Sequence, residues 1–243
     1  MRQFPAWTRS SVLRSDQLTM QRINFAQITL DTLYTIVAVR DHGLRSSPWD
    51  QLCLVELTPD ELSATERLSA DLRRYQPSLV NEVTVFARSI YPLLVLAEAE
   101  GVQALAGVSL SAQVGDFELA GVADGALGRA VAGELRAPFL VVVEARRGVE
   151  GITPVAQLYA ELLVAARLNA AETQQHTQHL FGCYTIADNW TFIEVTVDGL
   201  DGPRPNFSVT TSPEYNEKVE AATIARILKS IVAARRRERP TAA

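Results

Sequence analysis

Two acidic residues and a neighbouring arginine occur at spacings that could assemble a site for phosphate chemistry. Glu144 and Arg146 lie two residues apart in the run VVVEAR, whose β-branched residues are typical of a buried strand. Side chains two apart in a strand share one face, with Cα atoms about 7 Å apart. Asp124 lies near the end of the preceding predicted strand, so its carboxylate can join Glu144 on that face if the register allows.

Two converging carboxylates suit a magnesium ion, which keeps several waters, takes one or two protein carboxylates and completes its octahedron with substrate phosphate. Such an ion activates water and neutralises the charge that develops on the phosphate. Simpler interpretations stay open. Glu144 and Arg146 could form a partly exposed ion pair, and Asp124, which precedes Gly125, could be a turn former.

Three consecutive strands and two helices must position these residues. Strands are predicted at 108–114, 117–127 and 139–146, with a turn at Gly115-Asp116, and form an antiparallel meander. A helix that opens at Thr153-Pro154 follows the meander. It carries Gln157 and Glu161, which are four apart and could also be solvated residues of one helix face.

The other predicted helix of the site begins at Ser78 and carries Glu82 in its first turn. An acid at that place complements the helix dipole, and this simpler role is the favoured one for Glu82. The segment 58–61 is a capping box, with Thr58 as N-cap, and starts a further helix that runs to about Arg74. The remaining predicted elements are strands at 181–187 and 190–197 and a C-terminal helix that starts at Ser212-Pro213-Glu214.

Composition indicates an ordinary globular protein. The chain has 243 residues, of which 47% are hydrophobic and 21% charged, and this size fits one α/β domain with additions. No window has the 18 or so apolar residues of a membrane span, and no secretory signal is found at the N-terminus, so we expect a cytoplasmic protein without membrane contact. Cys53 and Cys183 suggest buried free thiols, and His176 and His179 lack further ligands at zinc spacing.

The charge balance argues against a broad cationic surface for nucleic acid, because the net charge is −5. Local arginine stripes at 73–74, 146–147 and 235–237 could still contact phosphate. Lys218 and Lys229 are the only lysines among the 23 basic residues. The composition is compatible with a homo-oligomer and does not specify an oligomeric state.

The motifs in this order resemble the PD-(D/E)xK nuclease superfamily, which has the restriction-endonuclease-like fold. The resemblance covers about 78–197, roughly half of the chain, and each motif is short by itself. The motifs are GVAD at 121–124, VVVEAR at 141–146, AQLYAE at 156–161 and FGCYTIADNWTF at 181–192.

The resemblance implies an α/β fold in which a mixed central sheet is flanked by helices. Residues 78–236 would form the restriction-endonuclease-like domain. Residues 1–77 would form a helical N-terminal extension packed on the core, and 237–243 a disordered tail. The segment 23–39, which lies in this extension, combines β-branched residues with a nearly helical spacing of its apolar residues, so a helix and a strand both stay open.

The implied activity is metal-dependent hydrolysis of phosphodiester bonds in DNA or RNA. By the motif match Asp124 and Glu144 hold Mg²⁺ or Mn²⁺, and Glu82 supports them as the acid of the N-terminal helix. Gln157 orients the site, and Arg146 binds phosphate.

One departure concerns Arg146, which stands where the family carries lysine. Lysine can lose a proton or steer the attacking water, whereas arginine stays protonated and offers a planar set of donors to phosphate or carboxylate. A general-base role is therefore excluded, and weak cleavage is expected. The alternative is a catalytically inactive nuclease-fold protein that binds nucleic acid or a protein partner.

Overall fold

The part of the chain that the structure describes forms a mixed sheet of eight strands flanked by helices, which is an α/β fold, as predicted. The computed structural model describes residues 20–46, 49–52, 55–74, 76–146 and 154–237. The strands are β1 (Gln21–Asn24), β2 (Ala38–Leu44), β3 (Val102–Val114), β4 (Phe117–Val131), β5 (Glu134–Arg146), β6 (Gln178–Ile186), β7 (Asn189–Asp198) and β8 (Asn206–Asn216).

The helices lie before and after the central meander and at the C-terminal end of the described chain. They are α1 (Leu30–Ile36), α2 (Trp49–Leu52), α3 (Pro59–Leu72), α4 (Glu82–Val85), α5 (Tyr91–Leu96), α6 (Val155–Thr173) and α7 (Glu217–Arg237). A π-helical segment, Phe86–Ile90, joins α4 to α5. None of these helices combines the length and the apolar composition needed to cross a membrane.

The predicted meander is confirmed, since β3, β4 and β5 pair in antiparallel order. The helix α6 then crosses over to β6, which lies parallel to β5. The sheet order is β1-β4-β5-β6-β7-β8-β2, with β3 also paired to β4. A crossover helix between parallel strands covers one face of a sheet, and this is how α6 comes to face the end of β5.

The central strand β5 is buried on both faces. Val142 belongs to the core on the α6 side, whereas Val141 and Val143 belong to the core on the α7 side. A strand covered on both faces reads as a continuous apolar run rather than as an alternating pattern. A charged residue in such a run, as Glu144 is, must therefore find polar partners inside the protein.

The predicted helical N-terminal extension is wrong in part. Two of its segments are strands of the same sheet, since β1 pairs in parallel with β4 and β2 pairs in parallel with β8. The residues of β1 are mostly polar and exposed, so this edge strand has no apolar alternation to reveal it. Phe25, which follows β1, is buried against Gly121 on the sheet.

Two predicted helix starts outside the meander differ from the structure. Ser78 lies in the 3₁₀ turn Pro77–Leu79, and the cap of α4 is Asn81, whose side chain accepts a hydrogen bond from the Thr84 N–H. Ser212 is a residue of β8, and α7 begins only at Glu217. The Ser212 hydroxyl accepts a hydrogen bond from the Phe192 N–H at an irregularity of the ladder, and such places tolerate a proline in a strand.

The capping box of α3 is confirmed. The Glu61 N–H donates to Thr58 Oγ1 at 3.3 Å, and the Thr58 N–H donates to Glu61 Oε2 at 2.8 Å. The helix ends at Leu72, close to the predicted end at Arg74. Glu61 also pairs with Lys229, which anchors the start of α3 on α7.

Candidate functional site

Along one of its edges, the strand β4 pairs first with β1 and then with β5. Its first four residues pair with β1, and its pairing with β5 begins at Gly125, opposite Val143. Asp124 and Glu144 each lie one residue beyond this last pair, and their carboxyl groups are close enough for the charge of Asp124 to act on Glu144. Asp124 Oδ2 accepts a hydrogen bond of 2.7 Å from the Ala145 N–H, so the carboxylate replaces a strand partner there.

The guanidinium of Arg146 lies where several oxygen atoms converge. Its Nη1 atom is 2.6 Å from Glu144 Oε1, 3.1 Å from the Ala145 carbonyl oxygen and 3.2 Å from Glu82 Oε1. Its Nη2 atom donates a hydrogen bond of 2.7 Å to Gln157 Oε1. One permanent cation therefore connects side chains from β5, α4 and α6.

The helix α6 contributes an amide and a buried acid to the same cluster. Gln157 Nε2 donates to Glu144 Oε2 at 2.9 Å and to Glu161 Oε1 at 3.0 Å. The solvated-face interpretation is wrong for Glu161, which is fully buried. Sequence reasoning did not assign Glu161 to the site, although it is the only charged residue in the apolar run 155–166.

The acids of the cluster have raised pKa values because they are buried together. Burial, with the charge of Asp124 adding to it, raises the pKa of Glu144 to about 8 against the opposing effect of Arg146. Burial and the neighbouring Glu144 hold the pKa of Glu161 well above its ordinary value. Burial also raises the pKa of Asp124, against the hydrogen bond from the Ala145 N–H. Burial therefore favours the protonated form of each of these acids.

Glu82 reaches the cluster from the first turn of α4. It is the first residue of that helix, as an acid that complements the helix dipole would be, and its carboxylate also contacts Arg146. The chain continues directly into the π-helical segment Phe86–Ile90. Segments of this kind are frequent at functional sites because they change the direction of a helix locally.

The oxygen donors of the cluster suit a hard divalent cation. The carboxylates of Asp124 and Glu144 and the Ala145 carbonyl are the ligand types that Mg²⁺ and Mn²⁺ prefer. Glu144 Oε1 is buried and accepts no well-directed hydrogen bond despite its short contact with Arg146. Within the described part of the chain, however, no three His, Cys, Asp or Glu side chains form a metal-binding group. The expected set of Asp124, Glu144 and Glu82 is therefore not preassembled, and a guanidinium lies among the donors instead.

The other residues considered from the sequence lie away from this cluster. His176 is exposed and 3.6 Å from Asp201, whereas the His179 ring is hydrogen-bonded to Thr196, so the two histidines have different partners. Cys183 is a buried free thiol, as predicted. Cys53, Arg147 and the side chains of 235–237 lie outside the described residues.

Comparisons with known proteins add no relative to this description. No protein-family model matches the chain, and a search of curated proteins finds no significant match.

Proposed function

We propose that this chain is a nuclease-type phosphodiester hydrolase with a restriction-endonuclease-like core, acting on DNA or RNA with a divalent cation. The observation that carries the proposal is a set of three oxygen atoms around Arg146 Nη1, with the carboxylate of Asp124 nearby. The three are Glu144 Oε1, the Ala145 carbonyl oxygen and Glu82 Oε1. Oxygen donors that converge in this way are what a phosphate-bound divalent cation requires.

The order and pairing of the elements support the assigned core. A helix with an acid in its first turn is followed by the antiparallel meander β3, β4 and β5, then by α6 and by β6, parallel to β5. The acids come from the middle of β4 and the end of β5, and the amide comes from α6. These are the places at which the motif resemblance expects the site residues.

Each residue has a role that follows from its contacts. Asp124 and Glu144 would hold the ion, together with the carbonyl of Ala145, the residue that follows Glu144. Gln157 fixes the orientation of the Glu144 carboxylate through its amide. Arg146, 21% exposed at its side chain, can turn toward a phosphate and bind it with its planar donors. A bound ion would activate water and neutralise charge on the phosphate.

Cleavage of labelled single-stranded DNA, duplex DNA and RNA in Mg²⁺ or Mn²⁺ tests the proposal, with Asp124→Asn as the key variant. The asparagine oxygen can still accept the hydrogen bond from the Ala145 N–H, so only the charge is removed. We expect slow cleavage by the wild type that a chelator and Asp124→Asn abolish. Arg167→Ala is the control, because Arg167 pairs with Asp201 outside the cluster. Cleavage that survives Asp124→Asn would contradict the assignment.

A second candidate function is a nuclease-fold protein that binds nucleic acid or a protein partner without cleaving. The observation in its favour is Arg146, since a guanidinium stands among the oxygens that an ion would need. Binding without cleavage, in the wild type and in Arg146→Lys, would support it. With a net charge of −5, nucleic-acid binding should rest on few arginines and weaken steeply with salt. A titration of labelled DNA and RNA at two salt concentrations measures this.

A further inference from the structure

We infer that Arg146 is a resident cation that competes with a divalent metal for the same oxygens and keeps the cluster closed to metal while it is in place. The inference rests on the proposed function for the kind of ligand, a divalent cation. It goes further in assigning to Arg146 an inhibitory role on metal binding, separate from any contact with phosphate.

The distances make simultaneous occupation impossible. Arg146 Nη1 is 2.6 Å from Glu144 Oε1 and 3.1 Å from the Ala145 carbonyl oxygen. A magnesium ion approaches its oxygen ligands to about 2.0–2.1 Å and brings its own waters. An ion bound to these two oxygens would therefore overlap the guanidinium or lie in direct contact with it, and both carry positive charge.

Buried carboxylate oxygens without a hydrogen-bond donor are a second indication that the cluster could bind a divalent cation. Glu144 Oε1 and Glu161 Oε2 are both buried without an assigned hydrogen-bond donor, and the two carboxyl groups lie within hydrogen-bonding reach of each other. The residues that carry them are fully buried. A carboxylate oxygen in that position is costly unless a donor, a proton or a cation meets it. Arg146 stabilises Glu144 Oε1 by its charge but donates no well-directed hydrogen bond to it. A divalent cation bound directly to this oxygen would stabilise it more strongly.

Gln157 allows the cluster to keep its shape when Arg146 leaves. Its Nε2 donates hydrogen bonds of 2.9 and 3.0 Å to Glu144 and Glu161, and only its Oε1, at the other end of the amide, accepts from Arg146. Asp124 is held separately by the Ala145 N–H. Removal of the arginine side chain should therefore leave a set of oriented oxygens.

Calorimetric titration of Mn²⁺ into the purified chain tests the inference without any activity measurement. The proteins are the wild type, Arg146→Ala, the double variant Arg146→Ala/Asp124→Asn, and Arg167→Ala as a charge-matched control. We expect Arg146→Ala to bind Mn²⁺ about tenfold more tightly than the wild type, within the range of coupling between groups in direct contact. Arg167→Ala should bind as the wild type does, and the double variant should lose the gain.

A free guanidinium ion distinguishes occupation of the site from a general change in charge. In Arg146→Ala, millimolar guanidinium chloride should weaken Mn²⁺ binding more than sodium chloride of equal ionic strength does. Circular dichroism checks the fold, and Arg146→Gln, which keeps a planar amide, replaces the alanine variant if that variant is unfolded. The inference would be overturned by any of three results: equal Mn²⁺ affinity of the wild type and Arg146→Ala, an equal gain of affinity in Arg167→Ala, or no effect of guanidinium on Mn²⁺ binding to Arg146→Ala. Tighter binding without cleavage would overturn the proposed nuclease activity and leave the competition intact.

Discussion

Glu217 provides a stability prediction at a site separate from the cluster. It is the first residue of α7 and fully buried. Its Oε2 accepts hydrogen bonds from the Ser89 hydroxyl at 2.6 Å and from the Trp190 indole N–H at 2.9 Å, whereas its Oε1 has none. Burial is the main cause that raises the pKa of this carboxyl to about 7, and the two donors oppose it.

The pH dependence of the unfolding free energy follows from the pKa values of Glu217 in the folded and the unfolded chain. The folded protein keeps the Glu217 proton up to about pH 7, whereas the unfolded chain loses it near the ordinary value of 4.5. The native state therefore binds more protons in this window, and the free energy of unfolding falls as pH rises from about 4.5 to 7. Each pH unit is worth about 1.4 kcal/mol, so the loss attributable to Glu217 is about 3 kcal/mol.

Urea denaturation of the wild type and Glu217→Gln at several pH values between 4 and 8 measures this contribution. The amide can accept from Ser89 and Trp190 but cannot ionise. The difference in unfolding free energy between the two proteins should shift by about 3 kcal/mol across the range, in favour of the variant at high pH. Other titrating groups cancel in that difference. The exposed Glu214 supplies the control Glu214→Gln.

A difference between wild type and Glu217→Gln that stays constant from pH 4 to 8 would refute the reasoning. It would mean that the Glu217 carboxyl has the same proton affinity in the folded and the unfolded chain. A difference that shifts in favour of the wild type as pH rises would show that the hydrogen bonds from Ser89 and Trp190 outweigh burial.

Three further predictions test separate parts of the structure. Arg146→Lys should raise metal-dependent cleavage, because a compact ammonium replaces the guanidinium; efficient cleavage by the wild type that falls in the variant would make arginine the working residue. Thr58→Ala should lower the unfolding free energy by about 1 kcal/mol, whereas Thr58→Ser should keep most of it, as urea denaturation can measure. Gly121→Ala should cost about 1–3 kcal/mol, since its Cβ would lie 2.5 Å from the buried ring of Phe25; an unchanged denaturation midpoint would show that this ring does not pack there.

Local patterns in the sequence determined much of the element order. The capping box at Thr58 fixed the start of α3, because the hydrogen bonds involved join residues three apart. The apolar runs and the Gly115-Asp116 turn fixed the meander, and strand parity placed Glu144 and Arg146 on one face. These features depend on neighbours along the chain, so they can be read without knowledge of the fold. The motif order singled out Glu82, Asp124 and Glu144, but it did not assign Glu161 to the cluster.

Only the tertiary structure decided the surroundings of these residues. Glu161 and Gln157 look alike in a helix-face pattern, but the crossover of α6 onto β5 buries Glu161 completely and leaves Gln157 to join the two acids. The Arg146 guanidinium contacts Glu144 and Ala145 of its own strand, but it also reaches Glu82 of α4 and Gln157 of α6. The contact with Glu82 joins residues 64 apart in the sequence, so only the fold brings them together.

The strands at the edges of the sheet were decided in the same way. The polar β1 is a strand because β4 offers it an unpaired edge beside residues 117–120. Ser212 belongs to β8 rather than to a helix because β8 pairs with β7 on both sides of it, at Thr211 and at Glu214. Strands pair through backbone N–H and C=O groups, which nearly every residue carries. The pairing of distant segments is therefore difficult to predict from the sequence of side chains.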